Sequence, residues 1–497
     1  PAQVKAASAK WLTRPVYALT VVPGARDAYV EATPPAKVAA APEPEFKGTR
    51  GALPPVGTLA SLDFPKVEHA KLKNGIELIY AYRNAVPITQ ASISFDAGVA
   101  ADAPGKLGTQ TLTLDMLDEG TLTRDSIAIA EAKERLGANI TSGSGADRTV
   151  VGLFTPSANL AASTELLADI VRHPKFDPAE VARVKNQQLS RISAELTSPQ
   201  GLATRVYPKL IYGAAYPYAK SFGSGDAKAV AALTRDDLIA FQQAWIRPDK
   251  AKIFVVSDRP LAEVKAAFDA RFGDWTPTGQ AGVKDFNVKA APSAPKIVLI
   301  DRPDSPQSFI IAGIPTRLVG TDDLLPVITA NDTLGGDFLS RVNMDLREAR
   351  HWSYGVNGSF RRAQHDTPYL LGTGVQADKT GESIKSLRTD FAEFLTTKGI
   401  TKDEFDRTIT DAISSLPGNF ETSGAVLGAL QQNDLYRRPD DYYATLPQKY
   451  RAMTAAELAA AARTAIDPAK TVWIVVGDAA KVRGQLDSIG LPVEGVD

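Results

Sequence analysis

One pattern occurs three times in this 497-residue chain: the end of a helix, a proline, and a short run of apolar, mostly β-branched residues. The copies lie at residues 11–22, 245–256 and 466–476. Proline ends a helix, and a short apolar run after it predicts a buried strand. Because the second and third copies each close a long segment in which strands and amphipathic helices alternate, we expect related α/β domains in tandem.

The repeats divide the chain into five parts. We predict a tail at 1–30 that supplies the closing helix and strand of a preceding domain, an Ala/Pro-rich linker at 31–66, a first domain at 67–275, a second linker at 276–295 and a second domain at 296–492. On this interpretation the precursor is longer than this chain. The fold class is α+β, with each domain a two-layer sandwich that has one helix-covered sheet face.

Local signals place individual elements. Strands are predicted at 75–82, 88–95 and 149–154, and helices at 108–117, 126–136 and 159–171. Asp177 followed by Pro178 and Glu180 is typical of a helix start, and Thr401 with Glu404 forms a capping box at the corresponding place in the second domain. The two domains therefore follow one plan.

Composition excludes several kinds of partner and site. Fifty-six basic and fifty-seven acidic residues leave a formal charge of −1, which gives no overall attraction to nucleic acid or to an anionic membrane. The chain has no cysteine, so it has neither disulfides nor thiolate metal ligands. No apolar run approaches the ~20 residues that a membrane span requires. Peptides fit this composition better as partners.

Two glycine-rich segments resemble a phosphate-binding loop, but their residues do not support that function. Residues 374–380 carry Asp378 where a phosphate loop has glycine before its lysine, and this carboxylate would repel phosphate. Gly143 and Gly145 precede a strand and indicate a hairpin or a bulge. The chain also has no Gly-x-Ser-x-Gly segment to present a serine nucleophile.

Metal ligands are sparse. The four histidines are scattered, and no pair has the i, i+4 spacing that places two imidazoles on one helical face. Asp115, Asp118 and Glu119 share the end of one helix, where they form either a hard-cation or acid/base group or an ordinary solvated terminus.

This helix carries a family resemblance. Residues 108–121, which contain Met116-Leu117 and end in Gly120-Thr121, resemble the zinc helix of the pitrilysin/insulinase (inverzincin) metallopeptidases, whose ligand sequence is His-x-x-Glu-His. Further similar stretches extend over nearly all of the chain beyond the first linker. The resemblance implies the fold of that family in two tandem homologous domains.

The resemblance also implies that this chain lacks the zinc site of the family. The two histidine positions fall on Thr111 and Asp115, and the water-activating glutamate falls on Leu114. The third ligand, a glutamate on a later helix, falls at Ile192, with Glu195 nearby. A leucine cannot take a proton from zinc-bound water, so we predict no metal in this chain and a zinc ion in a partner.

The second domain keeps a different family feature. Arg347 and Tyr354 match the spacing of an arginine and a tyrosine that the non-zinc half presents to the partner's zinc site. By resemblance they bind substrate and stabilise the oxyanion during peptide hydrolysis. The alternative is a surface salt bridge for Arg347 and a core position for Tyr354. Gly335 and Gly336, just upstream, are consistent with a tight helix entry.

These observations predict the non-zinc half of a two-part zinc peptidase, which encloses unfolded peptides in a chamber together with a homologous zinc-bearing half. Two alternatives stay open: a non-catalytic scaffold subunit of the same fold, and a peptidase that acts alone through an unforeseen metal site. We expect no nucleic-acid partner, no membrane span and a periplasmic location.

Overall fold

The computed structural model describes residues 2–22, 61–220 and 223–496. The chain forms two compact units, Pro1–Thr58 and Leu59–Asp497. In the described part of the first, helix α1 (Ala2–Leu12) is solvent-exposed along its length. Residues 16–22 are neither helix nor strand here. Because the partner predicted for this strand belongs to a preceding domain, the strand stays a prediction. The remainder of the predicted tail and the linker up to residue 60 lie outside the described residues.

The second unit begins with a half built on strands β1 to β6. The strands are β1 (Val67–Lys71), β2 (Glu77–Tyr82), β3 (Ile88–Phe95), β4 (Asn139–Ser144), β5 (Thr149–Pro156) and β6 (Ala251–Ser257). The helices are α2 (Thr109–Asp115), α3 (Ser126–Leu136), α4 (Leu160–Arg172), α5 (Pro178–Thr197), α6 (Pro199–Tyr212), α7 (Ala227–Ala232), α8 (Arg235–Trp245) and α9 (Leu261–Phe272). We call residues 61–275 the first half.

The second half, residues 296–496, repeats this order. Its strands are β7 (Ile297–Asp301), β8 (Gln307–Ile314), β9 (Ser353–Phe360), β10 (Tyr369–Gln376), β11 (Val472–Gly477) and β12 (Val493–Val496). Its helices are α10 (Leu325–Asn331), α11 (Arg341–Asn343), α12 (Thr380–Leu395), α13 (Lys402–Ser414), α14 (Leu416–Asn419), α15 (Ser423–Leu435), α16 (Leu446–Ala452), α17 (Ala455–Ala465) and α18 (Ala479–Asp487). Two π-helical turns, Asp332–Gly336 and Met344–Ala349, follow α10 and α11.

Within the described residues, each half contains one six-stranded mixed sheet. The orders are β1-β2-β6-β3-β5-β4 and β12-β7-β11-β8-β10-β9. The closing strands of the sequence repeat, β6 and β11, lie inside their sheets. Strand β6 is parallel to β2 and antiparallel to β3, and β11 is parallel to β7 and antiparallel to β8. The copies differ at one edge, where β1 is antiparallel and β12 is parallel to its neighbour.

The helix-start signals in the sequence are confirmed. The side chain of Asp177 accepts a hydrogen bond from the amide of Ala179 at the start of α5. Thr401 and Glu404 form the predicted reciprocal capping box of α13. Both satisfy amide groups that an α-helix otherwise leaves without partners. The Gly143 and Gly145 segment forms the predicted hairpin between β4 and β5.

The second face of each sheet is covered by a helix of the opposite half. Helix α6 follows α5 in the first half, yet its Ala203 is fully buried against the second sheet, with Val298, Ile311 and Ile474. Gly313 on β8 leaves room for this contact, since a Cβ there would lie 2.6 Å from Cδ1 of Ile211. The first half therefore completes the core of the second.

Helix α15 makes the reciprocal contact. Its Val426 and Leu430 are buried with Ile79 and Phe254 of the first sheet. Gln431 adds a hydrogen bond of 2.8 Å to the hydroxyl of Ser92 on β3. The two-layer sandwich predicted for each domain thus acquires a third layer, and this layer comes from the other half. Among the described residues, no helix is long and apolar enough to cross a bilayer.

Candidate functional site

Helix α2, where the sequence resembles a zinc helix, is held by a buried carboxylate. Asp102 accepts hydrogen bonds from the amides of Gly108 (2.7 Å) and Gln110 (2.8 Å) at the start of the helix. Burial raises the pKa of Asp102 to about 6, although both hydrogen bonds favour its charged form. Gly108 has φ 106°, which is accessible to glycine at little cost.

The four positions that match zinc-site residues have no metal-binding geometry. Leu114 and Ile192 are buried in apolar clusters, and Thr111 is a half-buried hydroxyl residue on the same helix. The carboxylate of Asp115 forms an ion pair with Arg191, one residue before Ile192 on α5. An arginine thus binds the carboxylate at the second histidine position, and an always-charged guanidinium beside it opposes a cation.

The neighbouring acidic residues are also paired individually. Asp118 accepts a hydrogen bond of 2.7 Å from Lys133, and Glu119 contacts Arg183. Glu195, the second candidate for the third ligand, accepts from Arg205 at 2.8 Å and from the amide and hydroxyl of Ser224 at 3.0 and 2.6 Å. Of the two interpretations of this acidic group, the structure supports an ion-paired helix end.

The residues around α2 therefore do not fit zinc. Across the described part of the chain, no group of three or more His, Asp or Glu side chains has the arrangement of a metal site.

Arg347 and Tyr354 do come together. Arg347 lies in the π-helical turn Met344–Ala349, and Tyr354 is the second residue of edge strand β9. The guanidinium of Arg347 lies 5.1 Å from the ring centre of Tyr354, and its Nε is 3.0 Å from the carboxylate of Glu348. Tyr354 is 90% exposed, so it does not occupy the predicted alternative position in the core.

Phe338 belongs to the same site and was not predicted from the sequence. Its ring centre is 4.7 Å from the guanidinium of Arg347, so two aromatic rings contact this one cation. Phe338, Leu339 and Met344 are exposed by 54%, 43% and 39%, an unusual concentration of large apolar side chains at the surface. The resulting patch combines a cation, a phenol and apolar contact area.

The glycine pair upstream of Phe338 has a packing role. Gly335 and Gly336 end the π-helical turn that follows α10, and do not open a helix as predicted. A Cβ on Gly335 would lie 2.9 Å from the hydroxyl of Tyr369, and one on Gly336 would lie 2.7 Å from Oδ1 of Asp332. Glycine is needed here for close approach.

The segment that resembled a phosphate loop runs from the end of β10 through a 3-10 turn, Ala377–Lys379, into α12. Gly374 lies within β10, and Lys379 pairs with Glu382 at 3.1 Å. This arrangement leaves no loop of amide groups to surround a phosphate.

Two models of one protein family match this chain. Residues 79–216 match the family described as "Insulinase (Peptidase family M16)". Residues 232–411 match the family described as "Peptidase M16 inactive domain". The second match contains Arg347 and Tyr354.

Two individual relatives are similar to this chain over most of its length. The chain is 23% identical over 380 residues to a Bacillus subtilis protein named "Uncharacterized zinc protease YmxG", covering 73% of this chain and 87% of that protein. It is 20% identical over 409 residues to the "Non-peptidase homolog YmxG" of Helicobacter pylori, covering 81% and 92%.

The fold also matches a solved structure, the peptidase M16 inactive domain from Pseudomonas fluorescens. The TM-score is 0.75 at 26% identity, over 83% of this chain and 98% of that one. With two matches to M16 family models within residues 79–411 and the same fold in a solved relative, the chain is a member of peptidase family M16.

Proposed function

We propose that this chain is the non-zinc half of a two-part M16 peptidase and contributes Arg347 and Tyr354 to peptide hydrolysis on a zinc-bearing partner. The observation that carries the proposal is the exposed patch around Arg347. A surface salt bridge alone would leave Tyr354 and Phe338 without a reason to be exposed beside the same guanidinium. The ion pair of Asp115 with Arg191, at a position that matches a zinc ligand, supports a division of tasks between two halves.

In this proposal the two polar groups act on the substrate backbone. The guanidinium of Arg347 and the phenol of Tyr354 are hydrogen-bond donors that point from a fixed helical turn and a fixed strand. Donors aimed at the scissile carbonyl stabilise the negative charge that develops on its oxygen when water attacks. The two rings and Glu348 hold the guanidinium in place, which reduces the reorganisation needed at that moment.

A scaffold function without catalysis is the second candidate. The name of the Helicobacter pylori relative, a non-peptidase homolog, favours it for that protein. A scaffold would need the fold and the partner but not the donor atoms of Arg347 and Tyr354. The two functions therefore differ in the effect of two small side-chain changes.

The test begins with purification of the native chain with its partner and metal analysis of that partner. In the reconstituted pair we expect Arg347→Ala and Tyr354→Phe to lower kcat for a fluorogenic peptide by ~100-fold or more, with a smaller change in KM, because they remove donors used in the transition state. Arg350→Ala is the control, since Arg350 also contacts a ring, that of Trp352 at 4.8 Å, but pairs with Asp345.

Unchanged kcat in both variants, with the pair intact by gel filtration, would establish the scaffold function. Stoichiometric zinc and chelator-sensitive turnover in the isolated chain would refute the division of tasks. The periplasmic location belongs to the same proposal, and fractionation of the source cells tests it.

A further inference from the structure

A second site lies at the junction of the two halves, in a cleft of about 480 Å³. The first half lines it with His69, Arg148 and Lys252, and the second half with Asn433, Arg437 and Arg438. A volume of this size accommodates a few residues of a peptide or a small molecule. Helix α2 and the exposed patch around Arg347 do not line this cleft.

The lining is electropositive. Four of its side chains are basic, Arg148, Lys252, Arg437 and Arg438, and two are carboxylates, Asp434 and Asp440, so the arginine, lysine and aspartate side chains of the lining sum to +2. One carboxylate is shared, because Asp434 contacts Lys252 at 2.5 Å and Arg148 at 3.7 Å. The other, Asp440, is 2.9 Å from His69.

Arg437 and Arg438 therefore have no carboxylate partner in the part of the chain that the structure describes. Arg438 lies 4.1 Å from the ring centre of Tyr442 and donates to the hydroxyl of Tyr443 at 3.2 Å. These contacts fix the side chain without neutralising it. Burial, together with the charge of Arg438, lowers the pKa of nearby Arg362, as expected where positive charges accumulate.

The backbone holds Arg437 in a costly conformation. Helix α15 ends at Leu435, and Arg437 follows with φ 53°, in the left-handed region that favours glycine. The amide of Arg438 closes the turn by donating to the carbonyl of Asn433 at 2.8 Å. A glycine would be the more stable residue here, so the arginine contributes something other than stability to this position.

Asn433 supplies an independent sign of a ligand. It is only 4% exposed and lines the cleft, and its Oδ1 accepts no hydrogen bond from any described residue. Its Nδ2 donates to the carbonyl of Pro439 at 3.3 Å. A buried acceptor without a donor is destabilising, and a ligand N–H would satisfy it.

We propose that this cleft binds the C-terminal end of a peptide, with its carboxylate on Arg148, Arg437 and Arg438 and a backbone N–H on Oδ1 of Asn433. Guanidinium groups bind carboxylates through two parallel hydrogen bonds, which suits an α-carboxylate. A phosphate monoester in its dianionic form would use the arginines, but it has no hydrogen-bond donor for Oδ1 of Asn433. The peptide is chosen over such a monoester for that reason.

The test is equilibrium binding to the full chain without a partner, so it is independent of the catalytic proposal. The probe is fluorescein-Ala-Ala-Phe-Ala-Ala, prepared as the free acid and as the C-terminal amide, with fluorescence anisotropy as the readout. We expect the amide to bind ~10- to 100-fold more weakly, because it loses a charge-assisted pair of hydrogen bonds. Arg148→Ala should weaken binding of the free acid by a similar factor.

Arg437→Gly separates binding from folding. It should weaken binding of the free acid by about 10-fold, while its Tm stays at or above that of the native chain, because glycine removes the left-handed strain. Arg407→Ala, an exposed arginine on α13 outside the cleft, should leave binding unchanged. Equal binding of acid and amide, full binding by Arg437→Gly, or binding of inorganic phosphate without binding of the peptide would each overturn the proposal.

Discussion

The exchange of helices between the halves predicts a specific coupling between Ile211 on α6 and Gly313 on β8. Ile211 is 2% exposed, and its side chain lies where a Cβ of residue 313 would be, 2.6 Å from Cδ1 and 3.1 Å from Cγ1. Gly313→Ala forces these atoms apart. Overpacking of this kind costs ~1–3 kcal/mol, and the lower chain entropy of alanine offsets ~0.5–1 kcal/mol of it.

Ile211→Ala removes buried methyl groups, and we expect it to lower the free energy of unfolding by ~2–5 kcal/mol. In the double variant the new methyl at residue 313 enters space that the shortened side chain at residue 211 has vacated. We therefore expect the double variant to be at least ~1 kcal/mol more stable than the sum of the two single effects predicts.

The assay is urea unfolding, followed through the fluorescence of the five tryptophans, one of which is Trp473 on the neighbouring strand β11. Gly372→Ala on β10 is the matched control, because its Cβ would be 3.8 Å from the nearest atom, Cζ of Phe309. We expect Gly372→Ala to leave the free energy of unfolding unchanged. If the effects at residues 211 and 313 add within ~0.5 kcal/mol, α6 does not pack against β8 as described.

Two further predictions concern the first half. The pKa of Asp102 is raised from 3.8 to about 6 in the folded chain, so its proton is bound more tightly there, and the stability that this gives is present below about pH 4 and is lost as pH rises through 6. The unfolding free energy of the native chain minus that of Asp102→Asn should therefore fall by roughly 2.4 kcal/mol between pH 4 and 7, and a flat difference would contradict this. Because Asp115 pairs with Arg191 where a zinc ligand would lie, the purified chain should contain no stoichiometric zinc by mass spectrometry, and a chelator should leave its Tm unchanged; a chelator-induced fall in Tm would refute the assignment.

Much of the architecture follows from the sequence because it rests on local chemistry. The helix-proline-strand repeat placed β6 and β11, and the caps at Asp177 and Thr401 placed the starts of α5 and α13. The same repeat predicts a strand at residues 16–22, a stretch that is neither helix nor strand here. A strand needs a hydrogen-bonding neighbour, and the neighbour predicted for this one belongs to a preceding domain.

Which sheet α6 and α15 each pack against could not be predicted in the same way. An apolar helix face shows that Ala203 and Leu430 are buried, but not which of two similar sheets buries them. The chain topology decides which sheet each helix covers, and the topology cannot be inferred from a single sequence.

For the site, the spacing of Arg347 and Tyr354 indicated the pair, whereas the contribution of Phe338 arises from a turn that brings distant rings around one guanidinium. A clue was available in Gly335-Gly336-Asp337-Phe338, where a large apolar residue follows small and polar ones.

The exchanged helices also determine what a break in the backbone does. A protease that cuts the connection at residues 276–295 leaves each fragment holding a helix whose partner surface belongs to the other fragment. The nicked protein should therefore migrate as one particle in native gel electrophoresis and separate only in denaturant. Expressed alone, either fragment would expose a large apolar surface to water, and it would need a chaperone or the other fragment to prevent aggregation.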